Sequence, residues 1–297
     1  MGSYQEANAR ERLQQLFDPN SFEEFLPPSQ RVVSPHLGQL NAPVAFDDGV
    51  AVGRAKLGGI TVYTAAQEGG FMGGAVGEVH GAKLVGLLRR AVHDRVTAVV
   101  LLVESGGVRL HEANAGLIAV SEVMRALLDV RAAGIPVVVL VGGSNGAFGG
   151  MGIVSRCANV VVMSEEGRLA MSGPEVIETA SGVEEFDSRD RALVWRTSGG
   201  KHRYLMGDCQ RIVADDIAAF REAARDALAS LAGHPAELTL EALEAEQKML
   251  EERITRFGAL PDPVDIWSAM QIADAANIPM LDVDSFIAAA GQHRLGV

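Results

Sequence analysis

Two runs of apolar residues near the middle of the chain set the pattern around which the other elements are arranged. Val96–Val103 and Ile135–Val141 are almost wholly apolar and rich in β-branched residues, which is typical of strands buried on both faces of a sheet. Between them, Ala113–Arg131 has apolar residues at helical spacing. This order of strand, helix and strand predicts a right-handed unit with two parallel strands.

Each apolar run is followed by a glycine-rich segment, Ser105-Gly106-Gly107 after the first and Gly142–Gly152 after the second. We call residues 105–108 the first loop and residues 142–150 the second loop. Because both follow parallel strands, they are expected at the carboxyl edge of the sheet, where open α/β sheets bind ligands. Neither loop offers a Ser-His-Asp set or a metal-ligand cluster, so main-chain N–H groups are the expected catalysts, with an enolate or tetrahedral oxyanion as the species held.

The same patterns predict elements on both sides of this unit. Further strands are expected at Val50–Arg54, Ala55–Lys56, Ile60–Gln67 and Ala158–Met163, with a tight turn at Leu57-Gly58-Gly59. Further helices are expected at Tyr4–Phe17, from about Glu78 to His93, from Pro174, at Ala214–Leu231, at Leu238–Arg256 and from about Val264 to Asn277. Proline interrupts residues 27–43, which predicts irregular structure there.

A third glycine-rich stretch, Gly69–Gly77, lies directly before the helix that is expected from Glu78. Two explanations stay open for it: tight packing of that helix on the sheet, or direct contact with substrate. The stretch lacks the Gly-Lys-Ser/Thr that a P-loop needs, and the chain has no dinucleotide-binding glycine motif between a strand and a helix.

Composition narrows the class of protein. The chain has 297 residues, 48% of them hydrophobic, which suffices for one large α/β core or two close lobes. A net charge of -12 argues against nucleic acid as the main partner. Two cysteines cannot form a disulfide framework or a four-cysteine zinc ribbon, so no metal site is expected. Without a membrane-length apolar run or a signal-peptide pattern, a cytoplasmic protein that contacts no membrane is expected.

Residues 189–203 form a basic segment in an otherwise acidic chain. Two explanations are open: a solvated helix face that pairs with Glu184, Glu185 and Asp187, or a docking patch for phosphates or an acidic carrier protein. The basic residues of the segment are Arg189, Arg191, Arg196, Lys201 and Arg203.

Four blocks of the chain, in order, resemble the carboxyltransferase β subunit of bacterial acetyl-CoA carboxylase. Residues 71–77 (FMGGAVG) are similar to that family's FMGGSMG, and residues 105–112 (SGGVRLHE) to its SGGARMQE. Gly149-Gly150 resembles its second glycine loop, and residues 171–178 (MSGPEVIE) resemble its FAGPRVIE. The blocks cover roughly residues 50–215. By this resemblance, the residues that contact substrate are Phe71, Met72, Gly73, Gly74, Arg109, Gly173 and Pro174.

The resemblance implies an α/β fold of the ClpP/crotonase type, a superhelix of ββα units with an oxyanion hole made by two backbone N–H groups. It predicts a carboxyltransferase-type domain over residues 41–232, followed by a helical C-terminal extension (233–297). From their own pattern, residues 1–40 are expected to form an N-terminal arm that lies on the main body or on another subunit. The chain departs from the carboxylase subunit because it lacks the zinc ribbon.

The C-terminal extension, the basic segment and residues 172–203 are most similar to the β subunit of biotin-independent malonate decarboxylase. That resemblance implies decarboxylation of a malonyl thioester to an acetyl thioester and CO2. It also implies three partners: a γ-type subunit of the same fold, an acyl carrier protein and an acyl-carrier transferase. No cofactor is then bound directly, because the substrate is carried on the CoA-derived prosthetic group of the carrier protein.

On this hypothesis, position along the chain assigns the residues of the oxyanion hole. The N–H groups around Gly106, Gly107 and Val108 are expected to form its first side, and Gly149 and Gly150 to complete it. His111 and Glu112 are the nearest side chains that could protonate the enolate, although both also fit the first turn of the following helix. Arg109 is expected either to hold a carboxylate or to pair with an acid such as Glu104.

Three functions are in competition at this point. The first is the decarboxylase subunit. The second is a carboxyltransferase subunit of a biotin-dependent acyl-CoA carboxylase or decarboxylase, and avidin sensitivity would separate the two. In the third, the chain docks the carrier or the acyl thioester while a partner performs the chemistry.

Overall fold

The computed structural model describes residues 2–233 and 238–296, and its centre is a seven-stranded sheet in which spatial order follows chain order. The strands are β1 (Glu23–Glu24), β2 (Val50–Leu57), β3 (Ile60–Gln67), β4 (Ala98–Val103), β5 (Val137–Val141), β6 (Val160–Ser164) and β7 (Arg211–Val213). Pairing is antiparallel from β1 to β3 and parallel from β3 to β7.

Eleven α-helices lie in the described part of the chain. They are α1 (Ala9–Leu16), α2 (Glu78–Asp94), α3 (Asn114–Ala132), α4 (Gly149–Arg156), α5 (Pro174–Ser181), α6 (Arg191–Ser198), α7 (Gly200–Leu205), α8 (Ile217–Leu231), α9 (Leu240–Phe257), α10 (Pro263–Ala269) and α11 (Val283–Ala290). None of the helices that the structure describes is both long and apolar enough to cross a membrane.

The central unit has the predicted arrangement. Strands β4 and β5 are parallel neighbours joined through α3, and every residue of both strands is buried. The wholly apolar pattern is therefore explained by helices that cover both faces. The hairpin of β2 and β3 turns at Gly58 and Gly59, whose φ angles of +60° and +82° favour glycine.

Helices cover the sheet in two layers. On one face α2, α3 and α4 contribute Leu88, Leu127 and Val154 to a large core cluster. On the other face α1 and α8 contribute Leu13, Leu16 and Phe220 to a second cluster. The first and second loops follow β4 and β5 at the carboxyl edge of this layered body.

The N-terminal segment lies on the main body, one of the two locations that the sequence allowed for it. Helix α1 begins later than predicted because Asn8 and Glu11 form a capping box that starts it at Ala9. Tyr4, which precedes the helix, is fully buried, and its ring centroid is 4.1 Å from that of Phe220 in α8. This contact attaches the segment to the second core cluster.

A third core cluster joins α7 to the C-terminal helices through Leu205, Trp267 and Phe286. The prediction of one helix from Val264 to Asn277 is wrong: α10 ends at Ala269, and Gln271 and Asp274 have φ angles of +64° and +51°. The division of the chain at residues 40 and 232 stays a prediction. Residues 234–237 and 297 of the predicted extension lie outside the described residues.

Candidate active site

Hydrogen bonds join the two glycine loops beyond the ends of β4 and β5. Ser105 N–H donates to the Gly146 carbonyl at 2.7 Å, and Phe148 N–H donates to the Ser105 carbonyl at 2.8 Å. Ser105 is thus paired with Ala147 in parallel register, and Ala147 with Leu169. The parallel pairing of the sheet therefore continues past the strand ends through Ser105, Ala147 and Leu169, and this pairing keeps the two loops in contact.

The loops also pack closely at Gly107 and Gly149. A Cβ atom on Gly149 would lie 3.2 Å from Gly107 Cα, and one on Gly107 would lie 3.6 Å from Gly149 Cα. Their φ angles are +123° and +57°. Both the close approach and the backbone conformation favour glycine at these two positions.

Three of the predicted oxyanion donors are already used within the chain. Gly106 N–H donates to the Gly73 carbonyl at 2.8 Å, and Gly149 N–H donates to the Met171 carbonyl at 2.9 Å. Gly107 N–H donates to Ser105 Oγ at 3.1 Å. The sequence prediction is therefore corrected for these three glycines. Their N–H groups already bind acceptors that hold the loops in place, so they are not available to an oxyanion.

Val108 and Gly150 are the remaining members of the predicted set. Among residues 2–233 and 238–296, neither N–H has a hydrogen-bond acceptor. Gly150 lies in the first turn of α4, where N–H groups have no partner inside the helix and the helix dipole favours negative charge. Of the five predicted donors, the described residues thus leave one uncommitted on each loop.

The Gly69–Gly77 stretch braces the first loop, which favours packing over direct substrate contact for most of it. Met72, Gly73 and Gly74 have φ angles of +50°, +64° and +68°. A Cβ on Gly74 would lie 1.9 Å from the Glu104 carbonyl oxygen. Gly74 is buried, whereas Phe71, Met72 and Gly73 are half-exposed, and for those three substrate contact stays a prediction.

Arg109 is a second correction, because its side chain is fully buried. Its Nη1 lies 2.9 Å from both carboxylate oxygens of Asp48 and 3.2 Å from Glu112 Oε1. The guanidinium therefore neutralises two buried acids and is not open to a substrate carboxylate. The expected alternative partner, Glu104, pairs with Arg12 instead.

Glu112 is the third correction, because its carboxyl group is set up to be ionised. Burial would raise its pKa, but hydrogen bonds from Ser34 Oγ and the Glu78 N–H, with the charge of Arg109, outweigh burial and lower the pKa. An ionised carboxylate has no proton to give to an enolate. His111 is exposed in the single 3-10 turn after the first loop, and its role as proton donor stays a prediction.

A cavity of about 340 Å³ adjoins the second loop at Phe148, the residue before α4. Pro174 lines it together with Met171 and Arg203, and Gly173 forms the N-cap of α5 at its side. A larger cavity of about 650 Å³ lies at the opposite edge of the sheet, beside Thr97 and Pro136. Because ligands of parallel sheets bind at the carboxyl edge, the smaller cavity is the better candidate for substrate.

The basic segment is divided by its contacts, so it is not one docking patch. Only Arg189 and Arg191 are exposed. Arg196 pairs with Asp262 at 2.9 Å, and Arg203 pairs with Asp208 at 3.0 Å. Lys201 donates to the carbonyls of Pro279 and Leu281. Arg196 and Lys201 therefore hold the C-terminal segment, and Arg203 holds Asp208 before β7. As carrier-docking residues, all three are a correction to the sequence prediction.

Sequence reasoning missed Asp48 and Arg12, and it considered Glu104 only as a partner of Arg109. Arg12 is 1% exposed and Asp48 is fully buried. The available signal was weak: Glu104 is a charged residue placed directly after an apolar strand. No group of three or more His, Cys, Asp or Glu side chains in the described residues could hold a metal ion.

Comparison with known proteins gives consistent matches. Residues 5–257 match the family model described as the carboxyl transferase domain. The chain is 38% identical to the malonyl-S-ACP:biotin-protein carboxyltransferase of Malonomonas rubra, over 97% of this chain and 95% of that protein. It is 28% identical to the acetyl-coenzyme A carboxylase carboxyl transferase subunit beta of Fusobacterium nucleatum, over 59% of each chain.

Solved structures give the same result. A chain of a Pseudomonas malonate decarboxylase hetero-tetramer, determined in complex with malonate, has a TM-score of 0.79 and 38% identity, covering 89% of this chain and 95% of that chain. The transcarboxylase 12S structure has a TM-score of 0.63 and 25% identity, covering 74% of this chain and 40% of that one. The predicted carboxyltransferase type of the α/β fold is confirmed.

Proposed function

The chain belongs to the carboxyl transferase domain family, and from that premise we propose that it is the β-type subunit of a malonate decarboxylase. Its substrate in this proposal is a malonyl thioester on an acyl carrier protein, and its products are an acetyl thioester and CO2. The observation that carries the proposal is the pair of uncommitted N–H groups, Val108 and Gly150, on two touching loops, the second of which adjoins a cavity at Phe148.

The proposed reaction breaks the bond between the methylene carbon and the carboxylate carbon of the malonyl group. The electron pair of that bond moves into a carbon–carbon double bond, and negative charge develops on the thioester oxygen as CO2 leaves. Donors that are already in place stabilise this enolate more than they stabilise the ground state. Each donor contributes about 3–4 kcal/mol. The enolate carbon then takes up a proton, for which His111 is the nearest candidate side chain.

Partners are proposed from the surface around the loops. Leu110 and Met171 are 83% and 67% exposed, and Leu117, Ile118 and Val176 are also largely exposed. Exposed apolar side chains on the segments that follow the loops are candidates for an interaction surface. The relatives described as a hetero-dimer and a hetero-tetramer of malonate decarboxylase support a heteromer, and we assign this surface to a γ-type subunit of the same fold.

Two further partners complete the proposal: the acyl carrier protein, whose CoA-derived prosthetic group presents the malonyl thioester, and the transferase that loads it. The chain itself is proposed to bind no cofactor directly. Of the basic segment, only Arg189 and Arg191 are exposed enough to meet an acidic carrier, and Arg189 also pairs with Asp187 at 3.4 Å.

A second function is supported by the relative from Malonomonas rubra, whose name describes a transfer between malonyl-S-ACP and a biotin protein. The same two N–H donors would stabilise the same enolate in that reaction. The two functions differ in the fate of CO2, which leaves free in one and is bound to biotin in the other. Biotin independence is therefore the part of the proposal that an experiment has to decide.

Release of labelled CO2 from carboxyl-labelled malonyl thioester tests the proposal. The purified chain, alone and with its γ-type partner, would be given the substrate on carrier protein or on CoA, with and without avidin. We expect avidin-insensitive release that requires the partner. Release only with a biotin protein, and its loss with avidin, would replace the decarboxylase by the carboxyltransferase. Retained carrier binding without either activity in the complete complex would support docking alone.

A further inference from the structure

Glu104 is a buried carboxylate that joins the two glycine loops. It is the last residue before the first loop, and its residue surface is 4% exposed. Its Oε1 accepts three hydrogen bonds from the second loop: from Asn145 N–H at 3.2 Å, Asn145 Nδ2 at 3.0 Å and Ser144 Oγ at 3.3 Å. One side chain therefore fixes the main chain of the second loop to the end of β4.

The other carboxylate oxygen of Glu104 accepts a hydrogen bond from Arg12 in α1. Arg12 is itself fixed, because its Nε donates to the Tyr4 carbonyl at 2.8 Å and its Nη2 to the Gln5 carbonyl at 3.3 Å. The guanidinium also lies 4.5 Å from the centroid of the Tyr4 ring. The N-terminal segment is thereby tied to both loops through one buried ion pair.

Glycines on two neighbouring segments make room for this pair. A Cβ on Gly69 would lie 2.2 Å from Glu104 Oε1, and one on Gly143 would lie 2.3 Å from Glu104 Cδ. Glycine at both positions therefore serves the carboxylate, not the substrate. A carboxylate enclosed in this way is stable only with its full set of partners.

Glu104 does not act on substrate directly. Both of its oxygens are occupied by groups of this chain, and it does not line the cavity beside the second loop. Its main-chain N–H donates to Gln67 Oε1 at 3.3 Å, so its backbone is fixed as well. Each of its contacts constrains the position of a loop.

We propose that Arg12 and Glu104 form a positioning pair that holds the first and second loops at the separation required by the Val108 and Gly150 donors. This rests on the proposed function, because the pair acts only through the oxyanion donors. The N-terminal segment is then part of the framework of the active site. Loss of the pair lets the two donors move apart while the fold and the substrate surface stay in place.

The test uses the chain in complex with its γ-type partner and three variants: Glu104→Gln, Arg12→Met and the double variant. The matched control is Arg10→Met, on the same helix, where Arg10 pairs with Glu24 at 2.8 Å and with Asp47 at 3.0 Å, away from both loops. Each complex is measured for kcat and KM with malonyl carrier protein, for thermal unfolding, and for amide hydrogen exchange of residues 104–113 and 142–152.

We expect kcat to fall about 100-fold in both single variants, because a displacement of about 1 Å costs that much, while KM changes less than about threefold. The double variant removes both buried charges, so its Tm should return towards the wild-type value, yet its kcat should stay low. Hydrogen exchange of the two loops should rise in all three variants and stay unchanged in Arg10→Met.

The proposal is overturned if kcat recovers together with Tm in the double variant, because the pair would then act on stability alone. It is also overturned if loop exchange stays at the wild-type rate, whatever the activity. A wild-type complex without CO2 release counts against the proposed function. The exchange measurement still decides the positioning pair, because it needs no substrate.

Discussion

The two glycine loops lie side by side and each leaves one of the five predicted donors free, yet they are held by partly different forces. The first loop lies between two buried charges, Glu104 before it and Arg109 after it. The second loop has no charged residue of its own. Glu104 holds its middle through hydrogen bonds from Ser144 and Asn145, and close packing holds its two ends, with Gly142 against Phe220 and Gly150 against Val120. The first loop should therefore respond to charge, the middle of the second loop to the same charge through Glu104, and the two ends of the second loop to side-chain volume.

The largest expected effect comes from removing the charge behind the first loop. Arg109→Met leaves Asp48 and Glu112 buried without their shared cation, which should lower the free energy of unfolding by about 3–5 kcal/mol. Urea denaturation followed by circular dichroism measures this loss. The control is Arg90→Met, because Arg90 pairs with Asp94 at the surface and should matter little. Equal effects of the two variants would show that the buried network is not important for stability.

The end of the second loop that begins α4 should respond to a change in side-chain volume. In Gly150→Ala, the new Cβ would lie 2.4 Å from Val120 Cγ1, so the first turn of α4 must shift and carry the Gly150 N–H with it. We expect kcat to fall about 100-fold. Val120→Ala in the same chain removes the clash and should restore kcat to within about tenfold of wild type. If the double variant is as slow as Gly150→Ala alone, packing does not set the position of this donor.

A pH dependence of stability should come from the first loop's side of the sheet. Burial, with the nearby charge of Arg109, lowers the pKa of His80 from 6.5 to about 3. Between these values the unfolded chain binds a proton that the folded chain does not, so stability falls as pH drops from 6.5 towards 3, by up to about 1.4 kcal/mol per pH unit. His80→Gln should flatten this slope in denaturation curves at several pH values. An unchanged slope would assign the acid sensitivity to other groups.

The smallest expected effect concerns the exposed part of the basic segment. Arg189→Ala with Arg191→Ala should raise KM for malonyl carrier protein about threefold at low salt and leave KM for malonyl-CoA unchanged, because exposed charges mainly steer association. Arg54→Ala, which removes an exposed charge paired with Glu23, is the control. A parallel rise in both KM values would exclude a carrier-specific role for these two arginines.

Much of the fold follows from local pattern. Wholly apolar runs identified the buried strands β4, β5 and β6, and glycine after each strand located both loops. The short edge strands β1 and β7 were missed because two or three residues carry no periodic signal. The C-terminal helices were misjudged because the break at Gln271 and Asp274 depends on packing into the third core cluster.

The donors could be predicted only as a group of five residues. Whether an N–H is free depends on acceptors that are distant in the sequence. The Gly73 carbonyl accepts the hydrogen bond from Gly106 N–H, and the Met171 carbonyl accepts the one from Gly149 N–H. The partner of Arg109 is equally remote, since Asp48 lies 61 residues away along the chain. The sequence thus indicated the two loops and a role for main-chain N–H donors. Which of those N–H groups remain free is decided by tertiary contacts.

The attachment of the N-terminal segment to α8 also has a consequence for biosynthesis. Ser3 contacts Asp215, 212 residues further along the chain, so at about 5–20 residues per second the ribosome needs roughly 10–40 s to supply the docking surface. During that time Tyr4, whose carbonyl fixes Arg12, lacks the Phe220 ring on which it packs. The contacts of the N-terminal segment that hold the two loops can therefore form only late in translation. A partly made chain lacks them, and only a nearly complete chain can form the active site.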